Sequence, residues 1–224
     1  MVRALLCVTL AAQTLTSLPP YAAPKYRDGA VPPVLLRAVA GGEVWLEVPV
    51  TRDGVIPRVT LLRSTPPFTD ALTTAVNGWR FAPAEAEIPP APDAPPRTPS
   101  TRDRVDATVF VGAVFLPPSL NAPTLGEPPK DLAAPSSPGT PFPIATTRPM
   151  YPLRAVAGGV VLVEALVGRM GDVEQAKVLS SAPGFDQAAL DAARQWKFTP
   201  SRVQGINVPS YAYLVFGFAQ PVTR

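Results

Sequence analysis

Hydrophobic positions along this chain fall into short, dense runs separated by proline-rich polar stretches. Residues 160–167, VVLVEALV, are β-branched and almost continuous, the pattern of a strand buried on much of its surface. GRMGD (168–172) reads as a turn in which Gly168 and Gly171 are free to take positive φ. Residues 172–181 alternate loosely through Val173, Ala176, Val178 and Ser180, predicting a second strand exposed on one face. From Phe185, the apolar positions Ala189, Ala192 and Trp196 recur at +4, +3 and +4, one stripe at helical period. Ser181 or the Pro183-Gly184 pair starts this helix and Pro200 prevents its extension. Residues 208–218, VPSYAYLVFGF, form a long, aromatic last strand. The order strand, strand, helix, strand predicts an α+β unit with its helix packed on one face of an antiparallel sheet.

The pattern occurs twice. LRAVAGG stands at 36–42 and again, letter for letter, at 153–159, an offset of 117. At that offset, 21 of the 48 positions between 36 and 83 are identical to those between 153 and 200. Gly54 falls on Gly171, Phe68 on Phe185, Trp79 on Trp196, Phe81 on Phe198 and Pro83 on Pro200. The chain therefore reads as a tandem duplication, with copies over 33–116 and 150–219. The first copy is longer by a proline-rich insertion at 84–103, expected to be an extended loop. A second proline-rich stretch, 117–149, is expected to join two small domains as a semi-rigid linker. Proline makes up 31 of the 224 residues, about 14% against a usual ~5%, so much of the chain is expected to be loop or linker.

Residues 1–23 combine Arg3, an apolar stretch from Ala4 and the small pair Ala22-Ala23, the layout of an export signal. Pro19-Pro20 limit the apolar segment to residues 4–18, about 22 Å of helix against a ~30 Å hydrocarbon core. A cleaved signal is the expectation and a retained inner-membrane anchor through 4–18 the alternative. Cys7 then reads as one more apolar residue of the signal.

With no histidine in the chain, imidazole acid-base catalysis, histidine-assisted nucleophiles and histidine metal sites are excluded. Twenty basic and 17 acidic residues give a net charge of +3, too little and too scattered for a nucleic-acid binder. No small-molecule substrate, cofactor or metal is expected. Trp79 and Trp196 end the helix stripes and are expected to close the cores, whereas Trp45 has Leu162 as its counterpart. The aligned Glu47 and Glu164 fall inside the first strands, where an outward side chain or a satisfied ion pair is expected.

Several residues together carry a family likeness: Tyr151, Pro152 and Ala155; Gly159 and Val161; the hairpin at Gly171; and Ser180-Ser181. Asp186, Ala188 and Ala189, then Trp196, Phe198 and Pro200 ahead of the aromatic strand, complete the set. Residues 150–219 thus resemble the C-terminal domain of TonB-family proteins. The first copy resembles it more weakly, keeping Gly42, Gly54, Trp79, Phe81 and Pro83 but having Val34-Leu35 where Tyr-Pro would stand. The resemblance implies a periplasmic, non-enzymatic protein whose last-strand edge pairs with an extended segment of an outer-membrane receptor or another periplasmic protein. The edge residues it implies are Val208, Ser210, Tyr211, Tyr213, Val215 and Phe216, with 105–115 as the first copy's edge. Pro209, at the start of its strand, is compatible with an edge. Energy-transducing members resemble a long transmembrane helix bearing a Ser…His pair, which this chain does not match. The expectation is an exported adaptor. The alternatives are an anchored transducer, and a structural protein whose two copies pair edge to edge within or between chains.

Overall fold

The computed structural model describes residues 21–35, 38, 40–90, 92–93, 95, 100–118, 134–152, 155 and 157–220. Residues 1–20, which hold most of the expected export signal and the candidate anchor 4–18, lie outside the described residues. The same is true of Leu36, Arg37 and Val39 and of Leu153, Arg154 and Val156 in the LRAVAGG repeats, and of 119–133 in the expected linker.

The first half of the chain forms β1 (Lys25–Asp28), β2 (Gly42–Val50), β3 (Thr60–Arg63), α1 (Phe68–Asn77) and β4 (Arg80–Ala82). It continues with β5 (Ala84–Ile88), β6 (Thr101–Val105) and β7 (Ala107–Leu116). The second half repeats this order with β8 (Phe142–Ala145), β9 (Gly159–Val167), β10 (Val173–Ser180), α2 (Asp186–Arg194) and β11 (Lys197–Thr199). It ends with β12 (Ser201–Val203), β13 (Ile206–Val208) and β14 (Ser210–Phe218). Lys25 and Phe142, Gly42 and Gly159, Arg80 and Lys197, and Ala84 and Ser201, each the first residue of its strand, are 117 residues apart.

The same contacts recur at that spacing. Trp79 Nε1 donates to Ala30 O at 2.8 Å and Trp196 Nε1 to Thr147 O at 2.9 Å. Phe81 N donates to Gly54 O, and Phe198 N to Gly171 O. Gly54 and Gly171 have φ of 78° and 88°, and a Cβ on Gly171 would lie 1.8 Å from Phe198 O. Glycine is required there because the hairpin turn is hydrogen-bonded directly under the strand that follows the helix.

One six-stranded sheet unites the halves, in the order β10-β9-β14-β7-β2-β3. Every ladder within a half is antiparallel, while β14 and β7 meet in parallel, Ala212 against Phe110 through Phe218 against Leu116. Successive strand residues face opposite sides, so Val44, Leu46 and Val48 point to one face and Trp45 to the other. The first set packs with Leu72, Val76 and Trp79 of the α1 region; Trp45 packs with Ala189, Ala193 and Trp196 of the α2 region. The two helices therefore cover opposite faces of a shared sheet. Trp79 and Trp196 are buried in these cores, as their position at the end of each stripe predicts.

Three expectations change. The halves are not separate domains on a tether: Trp45, Leu62 and Phe110 of the first half lie in the core under α2, and Val160, Leu162, Tyr213 and Val215 of the second lie in the core under α1. The insertion 84–103 is not simply a loop, because β5 and β6 pair as a hairpin that sets Glu85 opposite Arg104 and Glu87 opposite Arg102. β6 is mostly exposed and β5 half-buried, and Arg102 Nε lies 2.7 Å from Glu85 Oε2, so charge pairs across the two strands hold the hairpin. Residues 134–149 are not linker either, since β8 pairs with β11 and the turn before it binds Glu47.

Candidate functional site

The last strand was the expected partner-binding element, and its neighbours decide what it can do. Ser210–Phe218 lies against Val167–Gly159 of β9 on one side, and Ala212–Phe218 against Phe110–Leu116 of β7 on the other. It is an interior strand over Ala212–Phe218, so the expected open edge is already paired on both sides at Tyr213, Val215 and Phe216, whereas Ser210 and Tyr211 pair with β9 and Val208 pairs with Ser201. Of the first copy's candidate 105–115, Phe110 to Phe115 lie between β14 and β2 in the same way, while Ala107 to Val109 pair with β2 and Val105 with Ala84. Two long apolar strands with both faces buried gain more by pairing with each other than by leaving two ladders to water.

The side chains are engaged as well. Val208 ends β13 opposite Ser201, and Ser201 Oγ lies 2.5 Å from Ser210 Oγ in a buried pair. Tyr211 is half-buried, with Lys25 Nζ 5.5 Å from its ring centre. Tyr213 is fully buried among Tyr26, Trp79 and Phe81. Its hydroxyl accepts from Tyr26 N at 2.8 Å and donates to Pro24 O at 3.3 Å, and burial pushes its pKa well above the usual phenol value. Val215 faces the α1 core, and Phe216 meets Trp196 edge-on at 6.4 Å.

The segments ahead of each half act as reciprocal straps. The first, carrying Pro24 and Tyr26, binds Tyr213 of the second half. The second binds Glu47 of the first half: Ser136 N and Oγ donate at 2.9 and 2.6 Å, Ser137 N at 2.9 Å and Thr140 Oγ1 at 2.8 Å. Burial alone would push Glu47 up, but these hydrogen bonds outweigh it and hold the carboxyl below its usual range. Its counterpart Glu164 is also buried, and among the described residues its Oε2 has no hydrogen-bond partner. Burial raises its pKa, against the attraction of Lys25 and Lys177. The expectation of an outward or ion-paired side chain fails at both positions: Glu47 is satisfied by neutral donors, and Glu164 is buried with one oxygen unsatisfied. A third buried carboxylate, Glu43, is raised by burial and countered by Arg63 and Arg148, with Arg63 Nη1 at 2.6 Å.

Among the described residues, the outermost strands of the sheet are β10 and β3. Both ladders are bulged, at Val173/Gln175 and Val178/Ser180 and at Trp45/Leu46. Glu174 and Lys177 are exposed along β10. Bulges and charge are the devices that discourage pairing at an edge. A groove of about 520 Å³ runs between Thr147–Pro152 and the Gln187, Asp191 and Gln195 face of α2. Among the described residues, no three acidic or cysteine side chains gather as a metal site, and no helix is long and apolar enough to cross a membrane.

The structure places the motif residues as supports. Tyr151 packs on Phe185 and Phe218 and donates to Ala157 O at 2.7 Å. Pro152 lines the groove, its carbonyl accepting from Ala155 N, and Gly159 lies against Phe185. Phe198 is buried beside Trp196, and Phe81 packs on Tyr213. Pro200 separates β11 from β12. The straps escaped sequence reasoning. Carried upstream, the 117-residue offset aligns only Pro24 with Pro141 and Pro32 with Pro149 there, although Ser136, Ser137 and Thr140 form a polar cluster within the proline-rich stretch.

Residues 147–219 match the family described as the Gram-negative bacterial TonB protein C-terminal. The match takes in β9, β10, α2 and β11 to β14. No curated protein matches the chain.

Proposed function

We propose that this chain is a non-enzymatic TonB-family adaptor of the periplasm that works in TonB-dependent transport by holding extended segments of outer-membrane receptors. The observation that carries this reading is the TonB C-terminal match over 147–219, which ends on the last strand. That family transduces energy and binds partners rather than catalysing, and its domains interact with outer-membrane receptors. Backbone ladder bonds at about 1 kcal/mol net each, less the cost of association, support micromolar or weaker capture. Export by residues 1–23 and the kinship of the first half to the same family belong to this proposal. The test is a titration of the isotopically labelled full chain with synthetic peptides copying extended periplasmic segments of outer-membrane receptors. Amide shifts confined to 210–218 and its neighbours support capture there. Receptor peptides that leave every amide unmoved at millimolar concentration end the reading.

One observation favours a second reading. The parallel β7–β14 ladder uses both last strands inside the molecule, so the chain also reads as a self-sealed structural module. An inert response to every receptor peptide is what that reading expects.

A further inference from the structure

We infer that β7 is a built-in occupant of the capture edge of the second half, so that the first half acts as an intramolecular lock on partner binding. The inference rests on the strand-addition reading above and concerns how that same site is regulated. β7 lies where an added strand would lie: on the side of β14 away from β9, with its backbone paired over Phe110–Leu116. Its side chains alternate as those of a captured segment do, Phe110 and Val114 entering the core under α2, Val111, Ala113 and Phe115 the core under α1.

Close fits secure it. Phe115 fills the space over Gly217, where a Cβ would lie 2.3 Å from its ring. Trp196 reaches back over Gly112, where a Cβ would lie 3.3 Å from Trp196 Cη2 and 2.7 Å from Phe110 Cε1. The Tyr213–Pro24 and Glu47–Ser136 straps hold the same seam from opposite faces. An outside segment must wait for the seam to open, and its apparent affinity falls by the fraction of molecules that are open.

The probe is a fluorescent peptide copying residues 107–116, ATVFVGAVFL, extended by lysines for solubility. The proteins are the unaltered full chain and the full-length Gly112→Val variant, which crowds the seam from β7 and leaves β14 unchanged. The lock predicts weak binding to the unaltered chain and binding at least about tenfold tighter to the variant, with amide shifts at 212–218. Equal binding to both proteins overturns the lock and leaves strand addition standing. A folded variant that binds no peptide overturns strand addition and the lock with it. If the variant does not fold, hydrogen exchange on the unaltered chain decides. A lock requires the seam amides of 110–116 and 212–218 to include a set that opens before 160–167; exchange of all three only in global unfolding overturns it.

Discussion

Phe115, in the last strand of the first half, lies against Gly217, in the last strand of the second, so closely that a Cβ there would stand 2.3 Å from its ring. Phe115 also stacks on Phe68 at 4.5 Å, so the ring has little freedom to retreat. Gly217→Ala should therefore destabilise the whole protein by about 2 kcal/mol through overpacking. Urea unfolding followed by tryptophan fluorescence would measure it. An unchanged midpoint would mean that the halves do not meet here.

The shared sheet predicts one unfolding transition. Trp45 belongs to the first half but packs under α2, edge-on to Phe142 at 5.7 Å. Trp45→Ala should lower the stability of both halves together by about 3 kcal/mol or more. Calorimetry of the full chain should show a single peak moving to lower temperature. Two peaks, only one of which moves, would restore the picture of tethered domains.

Two glycines with similar φ separate backbone strain from crowding. Gly171 and Gly205 have φ of 88° and 79°, but a Cβ meets Phe198 O at 1.8 Å in the first case and nothing within 4 Å in the second. Gly205→Ala should cost about 1 kcal/mol, the ordinary left-handed penalty. Gly171→Ala should cost about 3 kcal/mol or more, since the turn must also leave its hydrogen bond to Phe198. Denaturation midpoints of the two variants give the comparison directly.

The paired carboxylates should titrate in opposite senses. Glu47 is held low in the folded state, so its contribution is present above the unfolded carboxyl value and lost as pH falls through the folded one. Glu47→Gln should cost about 2 kcal/mol at pH 7 and progressively less in acid. Glu164 is raised by burial, so the folded state is favoured by protonation below the unfolded value and loses that advantage as pH rises through the folded one. Glu164→Gln should stabilise the protein at pH 7 by about 1 kcal/mol and make no difference once the wild-type group is protonated. Stability measured from pH 3 to 8 for both variants would reveal a reversed pair of effects, or none.

Local pattern made much of this protein legible in its sequence. The β-branched run at 160–167, the Ala189–Ala192–Trp196 stripe and Gly171 each specify a strand, a helix and a turn, because periodicity and φ are properties of a few neighbouring residues. At the 117-residue offset 21 of 48 positions match, and β2 and β4 begin 117 residues ahead of β9 and β11. The β5–β6 hairpin was missed because its proline-rich tip hides two short strands whose partner signal is charge. What only the tertiary structure decided is which edges stay open. A strand's sequence shows that its two faces are apolar, but its two ladders are backbone, identical for every residue except proline. Whether Ser210–Phe218 offers its outer ladder to a partner or spends it on Ala107–Leu116 therefore depends on bringing together segments about a hundred residues apart. The reciprocal burial of Trp45 and Tyr213 in each other's half settled that choice, and neither half alone contains it.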